Sequence, residues 1–370
     1  AELIGHVLYA ARHSGRFIWQ QRDASSFEEF SIFTGSKYLP SSQILLDHRY
    51  PTKTLGIDSS GFIHNGVEEE VQSAAHLIFL LGGSTVEGRG ASSNSHTIAA
   101  YLEQQLRNAY GNRSVRVINA GHSGDIAAQQ FLRLYGDILS RYKPSTIIEL
   151  DGRNDAYNFL SFAEHGWQAN WVPYFTEISS EVNALMTGSL QFRKLVNFYL
   201  GRYSILHALV GRAIASGSHP YRHPQQMLPS KEQFRLAVKA YQNNHLLSEK
   251  IAQLSDAKHL TFLQPVLLAR LKAITREEQQ MMDEWNTLYS SPFYWEGLDI
   301  FYAMAQEQLR AHEAEGRFDI SAVFQDSNEK VYIDSCHYTD TGNELIARAI
   351  ADRLKPLFRE FSPGKSSPVN

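Results

Sequence analysis

Residues 76–85 read HLIFLLGGST. The apolar run Leu77 to Leu81 has strand length and no polar alternation, the pattern of a strand buried on both faces. Gly82 and Gly83 end it, and Ser84 follows at once. Working outward, the same unit recurs. Ser95 to Tyr110 sets Ile98, Tyr101, Leu102 and Leu106 on one helical face, and SVRVINAG (114–121) is a second apolar strand closing on glycine. Ile126 to Tyr142 sets Phe131, Leu134, Ile138 and Leu139 on one face, Pro144 ends that helix, and STIIELDGRND (145–155) supplies a third strand. HLTFLQPVLL (259–268) reads as a fourth strand and KVYID (330–334) as the last, before a closing helix, GNELIARAIADRLKPLF (342–358). Thr341 stands three residues before Glu344, a capping-box spacing, and Leu345, Ala349, Ile350, Leu354 and Leu357 share a face. Apolar strands alternating with amphipathic helices predict an α/β fold: a flavodoxin-like three-layer αβα sandwich around a parallel five-stranded sheet.

Two stretches interrupt this alternation. From about 157 to 257 the chain is rich in Trp, Tyr, Phe and His, and its second part holds one long helix capped by Ser230 with Gln233. That helix carries a stripe of Phe234, Val238, Tyr241, Ile251 and Leu254. A second helical, aromatic stretch spans about 275 to 318, with Trp285, Tyr289, Phe293, Tyr294 and Trp295. Both read as insertions in one interrupted domain over 76–360. Residues 1–75 then form an N-terminal extension packed on the core, and 361–370 a tail. Within the extension, Leu3, Ile4, Val7, Leu8 and Ala11 have helical spacing, whereas Asp23 to about Gly66 is irregular and rich in Ser, Gly, Pro and aromatics.

Composition narrows the function classes. The 370 residues carry 35 Lys and Arg against 39 Asp and Glu, a formal charge of −4, without the basic surplus of a dedicated nucleic-acid binder. Cys336 is the single cysteine, which excludes an internal disulfide, a cysteine-based zinc knuckle and a CxxC redox pair. No run approaches the roughly 20 apolar residues of a membrane-spanning helix. The first residue, Ala1, reads as a trimmed end, and extracytoplasmic placement is favoured over cytoplasmic. No metal and no cofactor is called for.

In an open parallel sheet, chemistry gathers at the carboxyl ends of strands. There the chain places Gly83-Ser84, then Asn119-Ala120-Gly121-His122-Ser123-Gly124-Asp125, then Gly152-Arg153-Asn154-Asp155, then Asp334-Ser335-Cys336-His337. Each block alone has a plain reading: Ser84 as a helix cap, Gly121 and Gly124 as turn glycines, Asp334 and His337 as loop residues among 15 histidines. All of those readings would have to hold together. Other motifs fail: GHSGD has Asp125 at the last glycine position of a GxSxG elbow, and HEAEG at His312 lacks the second His of a zinc helix. GGSTVEGRG has neither the lysine nor the spacing of a phosphate loop. Cys336 reads as packing.

The four blocks GGST, NAGHSGD, GRND and DSCH, in this order, resemble those of the SGNH (GDSL-like) hydrolase superfamily, over about 76–156 and 258–358. One departure is Gly83, where that family usually has Asp. The resemblance implies a serine esterase or lipase. Ser84 would be the nucleophile, His337 the base that takes its proton, and Asp334 the group that fixes the imidazole tautomer. The backbone N–H groups of Ser84 and Gly124 and the side-chain amide of Asn154 would form the oxyanion hole. Losing one such donor typically costs on the order of 3 kcal/mol of transition-state stabilisation. Asn154 suits that role better than Asp155, which only accepts when ionised.

The expected substrate is a short-chain ester, such as an acetyl ester, of a carbohydrate or small molecule. His165, Trp167, Trp171 and Tyr174, soon after Asn154, are the candidate substrate-binding group. Three alternatives stay open at this level: an O-acyltransferase using the same residues, a lipase or lysophospholipase, and a non-catalytic carbohydrate-binding protein on the same scaffold. The segment Asp58-Ser59-Ser60-Gly61-Phe62 resembles one that larger relatives carry before the serine block and receives no role.

Overall fold

The structure is a computed structural model that describes residues 28–31, 35–46, 50–66, 76–110, 115–163, 227–289 and 293–360. Its centre is a five-stranded, all-parallel sheet of β5 (His76–Gly82), β6 (Val115–Gly121), β7 (Thr146–Asp151), β8 (Lys258–Leu263) and β9 (Arg317–Asp319). The spatial order is β6-β5-β7-β8-β9, so the direction of winding reverses beside β5. Such a switch opens a crevice at the carboxyl ends of the strands.

The pleat of β5 explains why both faces must be covered. Ile78 and Leu80 enter one core with Val117, Ile148 and Leu150, while Leu77, Phe79 and Leu81 enter the opposite core with Ile118 and Ile147. Helix α1 (Ser84–Glu87) follows β5 directly, and α2 (Ile98–Tyr110) lies on the first face. On the second face lies α3 (Ala127–Arg133), which continues as a π-helical stretch, Leu134–Leu139. The sequence predicted one continuous helix from Ile126 to Tyr142. Helix α4 (Arg153–Phe162) leaves β7, and α5 (Lys231–Leu254) runs back along the second face. Helices α6 (Arg276–Tyr289) and α7 (Tyr294–Ala311) lie between β8 and β9, and α8 (Asp340–Glu360) packs beside α2 through Ile346, Ile350 and Leu354. Among the described residues no helix is long and apolar enough to cross a membrane.

Three local expectations need correction. The fifth strand is Arg317–Asp319, which pairs with Thr261–Leu263, and it falls in the stretch read as a helical insertion. KVYID is not in the sheet because its backbone groups are used elsewhere. Val331 and Tyr332 donate to Glu278 Oε1 at 3.2 and 3.3 Å, and Ile333 donates to the carbonyl of His337. Helix α8 is capped by Thr339 rather than Thr341: the Thr339 hydroxyl accepts the Gly342 N–H and its carbonyl accepts that of Asn343. The Ser230–Gln233 capping box does form at the start of α5, but Leu254 is 87% exposed. The buried stripe of α5 runs instead through His245, Ser248 and Ala252.

Short strands β1 (Glu28–Ser31) and β2 (Gly35–Tyr38) form one hairpin, and β3 (Gln43–Leu45) and β4 (Thr54–Gly56) another. Asp58 accepts the N–H groups of Ser60 and Phe62, closing the turn of the Asp58–Phe62 segment. Ile63 then bridges antiparallel to Asn119 of β6. Asn94 binds this region to the loop after α1, through both backbone groups of Gly56 and the carbonyl of His64.

Candidate active site

The four blocks converge on one end of the sheet. Gly83 is the cap residue of α1, so Ser84 leaves the end of β5 on the first residue of a tight helical turn. His337 Nε2 lies 2.7 Å from Ser84 Oγ, and His337 Nδ1 lies 2.6 Å from Asp334 Oδ2. An ionised carboxylate only accepts, so Nδ1 carries a proton, and in the neutral ring Nε2 is left to accept the Ser84 hydroxyl. The other carboxylate oxygen, Asp334 Oδ1, accepts the N–H groups of Cys336 (3.0 Å) and His337 (2.9 Å). This small turn fixes acid and base relative to each other.

Electrostatics reinforce the geometry. Burial alone would push the Asp334 carboxyl up, but His337 and the two backbone donors outweigh it and hold Asp334 well below the usual carboxylate range. For His337, burial opposes the charged ring, yet the Asp334 carboxylate prevails and raises its pKa well above that of an ordinary histidine. Cys336 packs among apolar side chains, as predicted, with Sγ 3.9 Å from a His337 Nδ1 already engaged by Asp334. Asp334, Cys336 and His337 bring potential metal-ligand atoms within 4.8 Å of one another. A cation there would have to break the Asp334–His337 hydrogen bond.

Blocks two and three face the same point. Gly124 has φ +81°, in the left-handed region, and a Cβ on it would meet nothing within 4 Å. Glycine is therefore needed for the backbone turn. The space on its open side is unfilled. Asn154 Nδ2 donates to the carbonyl of Asp125 at 3.0 Å, and the adjacent Asp155 carboxylate accepts the Ala127 N–H at 3.1 Å. Consecutive residues of GRND thus tie down both sides of the glycine turn. An ideal Cβ on Gly83 would lie 2.3 Å from Asn154 Nδ2, so a side chain at this position would require that amide to shift. His165, Trp167, Trp171 and Tyr174 lie outside the described residues.

Several residues at the site were not singled out from the sequence. The ring of Tyr50 meets His337 edge-on, with centroids 5.6 Å apart, and burial raises the Tyr50 pKa. Tyr38 hydrogen-bonds the buried Glu87, stacks on His122 with centroids 4.4 Å apart, and accepts the Ser123 N–H. Asp125 and Arg133 form a buried ion pair beneath the glycine turn; despite the cost of burial, Arg133 and His122 lower the Asp125 pKa. Tyr38 and Tyr50 sit in the irregular, aromatic-rich segment, whose lack of periodicity hid them.

A second charged cluster lies under β7. Glu149 Oε2 is 2.6 Å from His245 Nδ1 and 3.0 Å from His259 Nε2, and Glu149 Oε1 accepts the Ser248 hydroxyl. Asp151 Oδ1 accepts the Tyr241 hydroxyl and lies 3.3 Å from His245 Nε2. Against burial, Asp151 and Glu149 push His245 up to about 10, and the two histidines pull Glu149 down to about 2. Burial and the Asp151 charge push Asp155 up to about 8.

A parallel, doubly covered sheet with a Ser-His-Asp relay at its switch point defines a class of α/β hydrolytic enzymes. A sequence model of the GDSL-like lipase/acylhydrolase family matches residues 78–350. The chain belongs to that family and is an ester hydrolase. Among solved structures it is similar to the lipase/acylhydrolase from Enterococcus faecalis, at 16% identity and TM-score 0.39, covering 78% of this chain and 98% of that one. It is also similar to a variant of an acetyl-xylooligosaccharide esterase from Geobacillus, at 13% identity and TM-score 0.42, covering 80% of this chain and 100% of that one. It is also similar to a lipase from a goat rumen metagenome, at 13% identity and TM-score 0.40, covering 75% of this chain and 96% of that one. No curated protein matches the chain.

Proposed function

We propose that the chain hydrolyses a carboxylic ester through an acyl-enzyme intermediate on Ser84. The observation that carries this reading is the unbroken relay from Ser84 Oγ to His337 Nε2 (2.7 Å) and from His337 Nδ1 to Asp334 Oδ2 (2.6 Å). In the first half-reaction Ser84 Oγ attacks the ester carbonyl while Nε2 takes its proton, and Asp334 steadies the resulting imidazolium. The tetrahedral oxyanion is received by the N–H groups of Ser84 and Gly124 and by the Asn154 amide. His337 returns the proton to the departing alcohol. Water, deprotonated by the same nitrogen, then attacks the acyl-Ser84 ester and releases the acid. The acyl group is short, such as acetyl, and the alcohol a carbohydrate or small molecule; family membership and the sequence reading support that choice.

Ser84→Ala is expected to cut kcat on p-nitrophenyl acetate by about 10⁶-fold, the scale seen when a serine nucleophile is removed, with the fold intact by circular dichroism. A fluorophosphonate probe should label Ser84 in the wild type and nothing in the variant. Undiminished turnover by Ser84→Ala would end the assignment. A panel of p-nitrophenyl esters from acetyl to dodecanoyl tests the acyl preference, and a preference for chains longer than octanoyl would turn the reading to a lipase.

A further inference from the structure

We propose that Tyr38 is a positioning residue of the Ser84 centre: its hydroxyl holds the Ser123–Gly124 turn in register with the helix that carries Ser84. The proposal rests on the roles given above to Ser84 and Gly124.

The turn that presents Gly124 is short and begins as β6 ends. The N–H of His122 is taken by the carbonyl of Gly82 at the end of β5, and that of Asp125 by the carbonyl of His122. Between them stands the N–H of Ser123, which donates to the hydroxyl of Tyr38 at 3.4 Å. The same hydroxyl donates to Glu87 Oε1. Glu87 is three residues beyond Ser84 on α1, and its carboxylate is fully buried, with Arg89 Nε 2.8 Å away on its other oxygen. One hydroxyl therefore joins the helix of the candidate nucleophile to the residue before the candidate oxyanion donor. The ring adds a second hold by stacking on His122, at an interplanar angle of 22°.

Tyr38 is well placed to act as a fixed post. It is 6% exposed and ends β2. Just beyond it, Ser41 donates to the carbonyl of Asp58, and Ile63, after the Asp58–Phe62 turn, bridges to Asn119 of β6. The extension is thus anchored to the strand whose end carries the turn. Gly124, with φ +81° and no side chain, has no packing of its own to aim its N–H. Its direction depends on its neighbours. An error of about 1 Å in a group that stabilises a transition state can cost about 10²-fold in rate.

Tyr38→Phe removes the hydroxyl and keeps the stacked ring. The expected result is a fall in kcat of about tenfold or more, with KM for p-nitrophenyl acetate within about twofold of wild type. The inactivation rate of each reactive site by a fluorophosphonate, whose addition also builds negative charge on oxygen, should fall in parallel. The probe also counts folded, reactive Ser84. Fewer labelled sites with an unchanged rate per site would mean that Tyr38 serves only folding, and would overturn the proposal; so would a kcat per labelled site equal to wild type. Failure of the parent reading looks different: Ser84 of the wild type would then not label at all.

Discussion

Two histidine–carboxylate clusters stand among the described residues, and only one of them sets a serine hydroxyl against its imidazole ring. His337 has one nitrogen on Asp334 and the other on a hydroxyl, that of Ser84. His245 has Glu149 at Nδ1 and Asp151 near Nε2, so a carboxylate stands at each end of its ring. The Asp334 side chain is 29% exposed, whereas those of Glu149 and Asp151 are almost completely buried. A ring flanked by two carboxylates is stabilised as a cation and cannot work as a base near neutral pH. A ring that has one carboxylate and faces a hydroxyl can alternate between forms. The contrast lies in the partner of the second nitrogen and in access to the cleft.

That contrast can be broken in several ways. The largest effect is expected at Asp334. Asp334→Asn removes the acceptor for Nδ1–H and should lower kcat by about 10³- to 10⁴-fold, through loss of the tautomer that accepts from Ser84. A steady-state assay that finds less than a tenfold loss would remove Asp334 from the relay. At His245 the order reverses. His245→Ala leaves Glu149 and Asp151 buried without their cation, and should cost about 3–5 kcal/mol in urea unfolding. Turnover per fluorophosphonate-labelled site should stay within about threefold of wild type, a tolerance well under one decade in rate. Equal losses of activity in the two variants would erase the distinction.

The smallest effects are those of pH, and the clusters predict opposite trends. The raised pKa of His337 places the acid limb of kcat/KM above the ordinary histidine value, so activity climbs as pH rises and the ring becomes neutral. For stability, Asp155 at about 8 and His245 at about 10 both lie above their unfolded values. The native state then holds more protons than the unfolded chain, so the contribution of each is lost as pH rises through its folded pKa. Glu149, depressed to about 2, acts at the other end: its contribution is present above about 4.5 and lost as pH falls toward 2. Urea unfolding at a series of pH values from neutral to about 10 should show declining stability while kcat/KM rises. Stability that is flat over that range would show that the buried cluster does not hold these protons.

Much of the site was legible because its signals are local. Ser84, Asn154, Asp334 and His337 each follow a recognisable apolar run or lie in a short block. Asp334 and His337 were read as following a sheet strand, yet they sit on a turn organised by Asp334 itself, with KVYID bound to Glu278. The true fifth strand is only three residues long, too short to show a pattern. Glu149 was read as part of an apolar strand because its histidine partners are about a hundred residues away. Tyr38 and Tyr50 left no signal, since an aromatic residue in an irregular segment can point anywhere until the chain is folded.

What the sequence determined by itself is local: apolar strand runs, the glycines that end them, and four short blocks that mark the candidate site. These depend on residue type and spacing over a few positions. Only the tertiary structure decided which histidine is sealed between carboxylates and which tyrosine hydrogen-bonds the glycine turn. Those outcomes depend on contacts between segments that are distant along the chain, and no local pattern records them. The physical reason is that a buried polar group must find a partner wherever the fold supplies one.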